Sequence, residues 1–131
     1  MSPHHDTART AELRIEIRGL AGGAGTVNLA LFDAPEGFHV SPMIPTAGQR
    51  LPARTDGVVA VFTGLAPGDY AVSAFHDEND NGVLDRNLLG RPTERFGFSR
   101  DAMGTMGPPS FEAARVTLAA GGAETIVVNL R

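Results

Sequence analysis

The chain has 131 residues, a net charge of −4 and no cysteine, and all eleven of its basic residues are arginine. That length suits one domain with its own core, and the composition excludes a disulfide framework and thiol chemistry. The scattered arginines form no basic stripe and no apolar run approaches the ~18 residues of a membrane helix, so neither a nucleic-acid partner nor membrane insertion is expected.

Residues 1–11 are polar, carry His4 and His5, and read as a disordered tail ahead of a single β-sandwich domain over 12–131. They hold no apolar segment of signal-peptide type. The chain therefore reads either as cytoplasmic or as starting after a removed signal. Leu13, Ile15 and Ile17 alternate with Glu12, Arg14, Glu16 and Arg18, the period-two mark of a half-buried strand. After the turn "LAGGAG", Val27, Leu29 and Leu31 alternate with Asn28, Ala30 and Phe32. This second strand is expected to pair with the first as a hairpin.

Pro35, Pro42, Pro45 and Pro52 break the stretch from Asp33 to Ala53. It reads as a long surface excursion with at most a short edge strand near Arg50 to Arg54. "GVVAVFTGL" (Gly57 to Leu65) is a third strand, and Pro67-Gly68 suits a type II turn. In the fourth strand, "YAVSAFHD", Tyr70, Val72, Ala74 and His76 share one face, and Ala71, Ser73, Phe75 and Asp77 the other. Leu88 to Ala114 is a second long irregular stretch, of a kind often functional. "RVTLAA" and "ETIVVNL", separated by Gly121 and Gly122, read as a closing hairpin. No convincing helix and no internal repeat is found. The fold class expected is all-β: an antiparallel β-sandwich, Ig-like or transthyretin-like, with about seven strands and two long loops.

One stretch points to chemistry. "FHDENDNGVLD" (Phe75 to Asp85) packs Asp77, Glu78, Asp80 and Asp85 beside Asn79, Asn81 and Gly82. An oxygen ligand at every second residue, followed by glycine, is how a short loop wraps a hard cation, as in the first half of an EF-hand loop. Leu88 stands where an EF-hand places its bidentate Glu, and the flanks are strand and coil, so this is no EF-hand. The expected metal ligands are Asp77, Asn79, Asn81, the Val83 carbonyl and Asp85, with water completing the 6–8 oxygens that Ca²⁺ prefers. Glu94 or Glu78 is a further candidate, and all-oxygen donors favour Ca²⁺ over zinc or copper. The competing reading is a solvated polar turn, since Asn-Gly favours tight turns and Asp and Asn cap their own backbones.

The second long loop offers a ligand surface made of Arg91, Glu94, Phe96, Phe98 and Phe111, with His76 close by in sequence. Against this, large apolar side chains are usually buried, so any single phenylalanine reads rather as core. His76 is also the one candidate for acid–base work, with Ser99 and Ser110 as hydroxyls, but no nucleophile motif accompanies them. His39 falls in the first excursion and reads as exposed. The scattered histidines carry no zinc-ligand spacing.

The run "GLAPGDYAVSAFHDENDNGVLDRNLLGRPTERFGFS" followed by "GPPSFEAA" resembles DUF2141, a bacterial family of uncharacterised proteins, over about Leu13 to Leu130. The resemblance implies a sandwich that is periplasmic or secreted. It implies no activity. "F-x-G-L-x-P-G-x-Y" (Phe62 to Tyr70) is also similar to transthyretin-like and collagen-adhesin B-type modules, and some of the latter carry a Ca²⁺-binding Asp/Asn/Gly loop. The resulting expectation is a non-enzymatic binding or structural module, its partner a small molecule, peptide or protein. In it, Ca²⁺ stiffens the 77–85 loop and orders the loop after it. The alternative is a small hydrolase or ligand-modifying enzyme using His76 and the 91–111 loop.

Overall fold

The computed structural model describes residues 10–35, 38, 46–84, 87–89, 92–102 and 109–131. Eight strands are found among them, forming two sheets packed face to face in an all-β sandwich. In the three-stranded sheet, β1 (Ala11–Arg18) lies between β4 (Val58–Leu65), which is antiparallel to it, and β8 (Ala123–Asn129), which is parallel. The five-stranded sheet runs β3 (Ala47–Pro52), β2 (Thr26–Phe32), β5 (Gly68–Asp77) and then β6 (Phe96–Phe98). A short β7 (Val116–Leu118) also pairs with β5.

The period-two pattern fixes the inner face of each main strand. Leu13, Ile15 and Ile17 of β1 meet Val27, Leu29 and Leu31 of β2 across the core, with Val72 and Ala74 of β5 and Val128 of β8. Fully burying a residue such as Leu or Ile stabilises by roughly 1.5–3 kcal/mol before entropy is counted.

Two expected pairings are corrected. β1 and β2 are not a hairpin: they lie in opposite sheets and face each other through their side chains. Alternation tells which face of a strand is buried and is silent on its hydrogen-bonded neighbour. The closing hairpin is likewise absent. The turn that carries the Gly122 N–H to Ala119 O bond, at 2.9 Å, passes the chain from β7 in one sheet to β8 in the other. The edge strand expected near Arg50 to Arg54 is β3, a few residues earlier.

The outer face of the five-stranded sheet carries a second core. Phe32, Ala71, Phe98, Phe111 and Ala114 are buried there around Phe38, whose ring meets Phe32, Phe98 and Phe111 edge-on at centroid distances of 5.2, 6.2 and 6.1 Å. The excursion after β5 supplies most of this cover, through β6, a 3₁₀ turn (Ser99–Asp101) and a four-residue helix, α1 (Phe111–Ala114), capped by Ser110. That helix was not legible in the sequence, being shorter than two turns.

β6 and β7 share one edge of β5 and leave a break between them. Ser99 Oγ fills it: it accepts the Val72 N–H at 3.0 Å and donates to Ala114 O. Both backbone groups thereby gain a buried partner.

Candidate functional site

The acidic loop leaves the sandwich at the end of β5, where His76 and Asp77 are both fully buried on opposite faces of one strand. His76 points inward under the β1–β2 connection. Its Nδ1 accepts the Ala21 N–H at 3.2 Å, and its Nε2 lies 2.6 Å from Ala24 O. A carbonyl can only accept, so Nε2 carries the proton and the ring is the neutral Nε2–H tautomer. Both ring nitrogens are thus engaged by backbone.

Asp77 points outward and organises the loop. Its Oδ1 accepts the Asn81 N–H at 3.1 Å, and its Oδ2 accepts the Gly82 N–H at 2.7 Å and the Asn28 amide at 3.3 Å. Asn79 Oδ1 converges on the same Asn81 N–H, at 3.4 Å, while Asn81 Oδ1 accepts the Val83 N–H at 3.1 Å. These are the local side-chain bonds for which Asp and Asn favour turns. Asp80 takes a left-handed backbone, φ 57°, and its carboxylate accepts from Thr26 Oγ1 at 2.8 Å. Arg50 lies 3.5 Å from Asp80 and 3.9 Å from Asp77, and its Nε donates to Asn28 Oδ1 at 3.0 Å. The loop is thereby laid against the outer face of the five-stranded sheet.

Gly25, at the start of β2, makes room for this. A Cβ there would stand 2.1 Å from Asp77 O and 2.7 Å from Glu78 O, and its φ of +75° is one that only glycine adopts freely.

Of the expected metal ligands, Asp77, Asn79 and Asn81 come together. The Val83 side chain is exposed and its N–H donates to Asn81 Oδ1, and Asp85 lies outside the described residues. Among the described residues, no group of three or more His, Cys, Asp or Glu side chains is placed to hold a metal ion. The donors here are one carboxylate and two carboxamides, and Asp80 is turned to Thr26 and Arg50.

Glu94 of the candidate ligand surface is buried at the root of this loop, where it accepts the Glu78 N–H at 2.8 Å. Phe98 and Phe111 belong to the outer core, with Phe96 packed partly buried against it. Arg91, His39, His4 and His5 lie outside the described residues. The alternative's hydroxyls have structural partners: Ser99 is buried in the β5 break, and Ser110 Oγ accepts the Ala113 N–H at the start of α1.

Sequence reasoning missed Thr26, Asn28 and Arg50. They reach the loop because Thr26 is paired with Asp77 and Asn28 with Arg50 in the sheet register. The polar Thr26 and Asn28 in a strand that is otherwise apolar were the available signal.

A family model described as "Uncharacterized protein conserved in bacteria", DUF2141, matches residues 15–126. No curated protein and no solved structure matches the chain.

Proposed function

The chain belongs to the DUF2141 family, and from that premise we propose a non-enzymatic binding or structural module, periplasmic or secreted, whose 77–85 loop takes Ca²⁺. The observation that carries the metal reading is the convergence of Asp77 Oδ1 and Asn79 Oδ1 on one N–H, that of Asn81. Convergent hard oxygens, with no nitrogen or sulfur donor among them, are the donor class Ca²⁺ takes. Asp77, Asn79, Asn81, the Val83 carbonyl and Asp85 would hold the ion. It would offset the repulsion among Asp77, Glu78, Asp80 and Asp85.

The non-enzymatic reading draws on His76. A general base needs a nitrogen within reach of the proton it takes, and both nitrogens of this fully buried ring are bonded to Ala21 and Ala24. A groove of about 420 Å³ lined by Leu51, Pro52, Arg54, Gly57, Val58 and Val59 involves neither His76 nor the acidic loop. No helix among the described residues is long and apolar enough to cross a membrane.

The test is thermal unfolding of chelator-treated protein titrated with Ca²⁺, with Mg²⁺ as control. A ligand that binds only the folded state stabilises it by about 2.7 kcal/mol at a hundredfold excess over its dissociation constant. A saturable rise with Ca²⁺ that disappears in Asn79→Ala and Asp85→Ala is the expected result. No rise at millimolar Ca²⁺ would reduce the loop to a polar turn.

A further inference from the structure

Asn81 precedes Gly82, the pairing in which a backbone nitrogen most easily attacks the carboxamide before it, because glycine has no Cβ in the way. Both residues are exposed, and nothing lies within 4 Å of where a Gly82 Cβ would stand. Two contacts set this pair up for that reaction. The Gly82 N–H, on the attacking nitrogen, donates to Asp77 Oδ2 at 2.7 Å, so a fully buried carboxylate sits at the proton that must leave. The Val83 N–H donates to Asn81 Oδ1 at 3.1 Å, at the oxygen where negative charge develops. The bond to Asp77 lies in the peptide plane, whereas attack uses the nitrogen's lone pair perpendicular to it. The bond therefore does not block the approach.

From this geometry we infer that Asn81 is a self-modification site, driven by the loop's own groups to a succinimide and then to aspartate and isoaspartate. The Gly82 nitrogen bonds to Asn81 Cγ as Asp77 accepts its proton, and the oxyanion forms against the Val83 N–H. The Cγ–Nδ2 bond then breaks, and ammonia leaves with the proton returned by Asp77. One water opens the five-membered ring at either carbonyl. The balance is one water consumed and one ammonia released, with no oxidant or reductant and Asp77 regenerated. The product carries one more negative charge, beside Asp77 and Asp80. In the isoaspartate form its main chain is one methylene longer. This inference needs no metal; it engages Asp77 and Asn81, which the Ca²⁺ reading also engages, so it is tested with the ion removed.

The test follows the wild-type chain in native buffer and, in parallel, in concentrated guanidinium chloride, both with chelator. Arginine-specific cleavage releases Thr55–Arg86, in which a gain of about 1 Da is assigned to Asn79 or Asn81 by fragmentation. Isoaspartate is counted by enzymatic methylation. Asn28, Asn79, Asn87 and Asn129, none followed by glycine, are controls within the chain. Conversion at Asn81 is expected to be at least about fivefold faster in the native chain, a small part of the roughly 10²-fold a positioned general base can supply. Asp77→Asn is expected to bring the native rate down to the denatured one. A native rate equal to or below the denatured rate would mean that the loop protects Asn81, and would overturn the inference. So would wild-type speed in folded Asp77→Asn. The native–denatured comparison decides without any variant.

Discussion

Glu94 accepts the N–H of Glu78 through its side chain, 2.8 Å away and sixteen positions back in the chain. Beside it the His76 N–H donates to Arg95 O at 2.9 Å. Together these bonds fasten the segment before β6 onto the root of the acidic loop. Hydrogen bonds to charged acceptors contribute about 1.5–3 kcal/mol, so Glu94→Ala is expected to destabilise by that amount in denaturant unfolding. Amide exchange at Glu78 should accelerate in the same variant, with Glu94→Gln intermediate.

His76 behaves in this structure as a buried spacer with two polar ends. His76→Leu keeps the volume and leaves the Ala21 N–H and the Ala24 carbonyl without their ring partners. Both bonds are partly buried, and the variant is expected to lose roughly 0.5–1.5 kcal/mol for each. Long-range ¹⁵N–¹H spectra of the wild type should show the proton on Nε2. A proton on Nδ1 would contradict the assigned bonds.

Ser99→Ala removes the group that closes the break beside β5. The Val72 N–H and Ala114 O both lose a buried partner. A loss of about 1–3 kcal/mol is expected, with faster exchange at the Val72 amide as the local signature. Ser99→Thr is expected to do no better, because an added methyl has no space in a site that is 0% exposed.

Tyr70 sets an alkaline limit. Burial of its phenol, and secondarily the charge of Asp33, raise its pKa above the ordinary 10.0. Its hydroxyl also donates to Ala66 O. A raised folded-state pKa means that the stability Tyr70 contributes is fully present below pH 10 and lost as pH rises through the folded value. The wild-type denaturation midpoint is therefore expected to fall above about pH 10, and Tyr70→Phe to fall less over the same range. Tyr70 is the one tyrosine of the chain, so phenolate absorbance reports its titration directly.

What was legible in the sequence was whatever depends on neighbours along the chain. Leu13, Ile15 and Ile17 showed their buried face through alternation, and Asn81-Gly82 with the Asp and Asn before it offered a self-bonding turn as the reading that competes with a metal loop. What was not legible depends on partners distant in sequence. β6 has three residues, too few to show a period; it is held by β5 on one side and by reciprocal bonds between Phe96 and Arg131 on the other. The phenylalanines of the second loop cover the sheet's outer face, where Ala71 and Ala30 leave them room. Thr26, Asn28 and Arg50 join the acidic loop through sheet register, which no local spacing encodes.

The first and last strands are neighbours and run the same way, with Glu12 to Arg18 in register with Ala123 to Asn129. The domain's two ends therefore leave from opposite ends of the three-stranded sheet, about 25 Å apart along the strands. Tension between those ends drags β1 and β8 past each other lengthwise, so their ladder is loaded in shear. Its bonds must then yield together instead of opening one by one like a zip. The domain is accordingly expected to resist being pulled from its two ends.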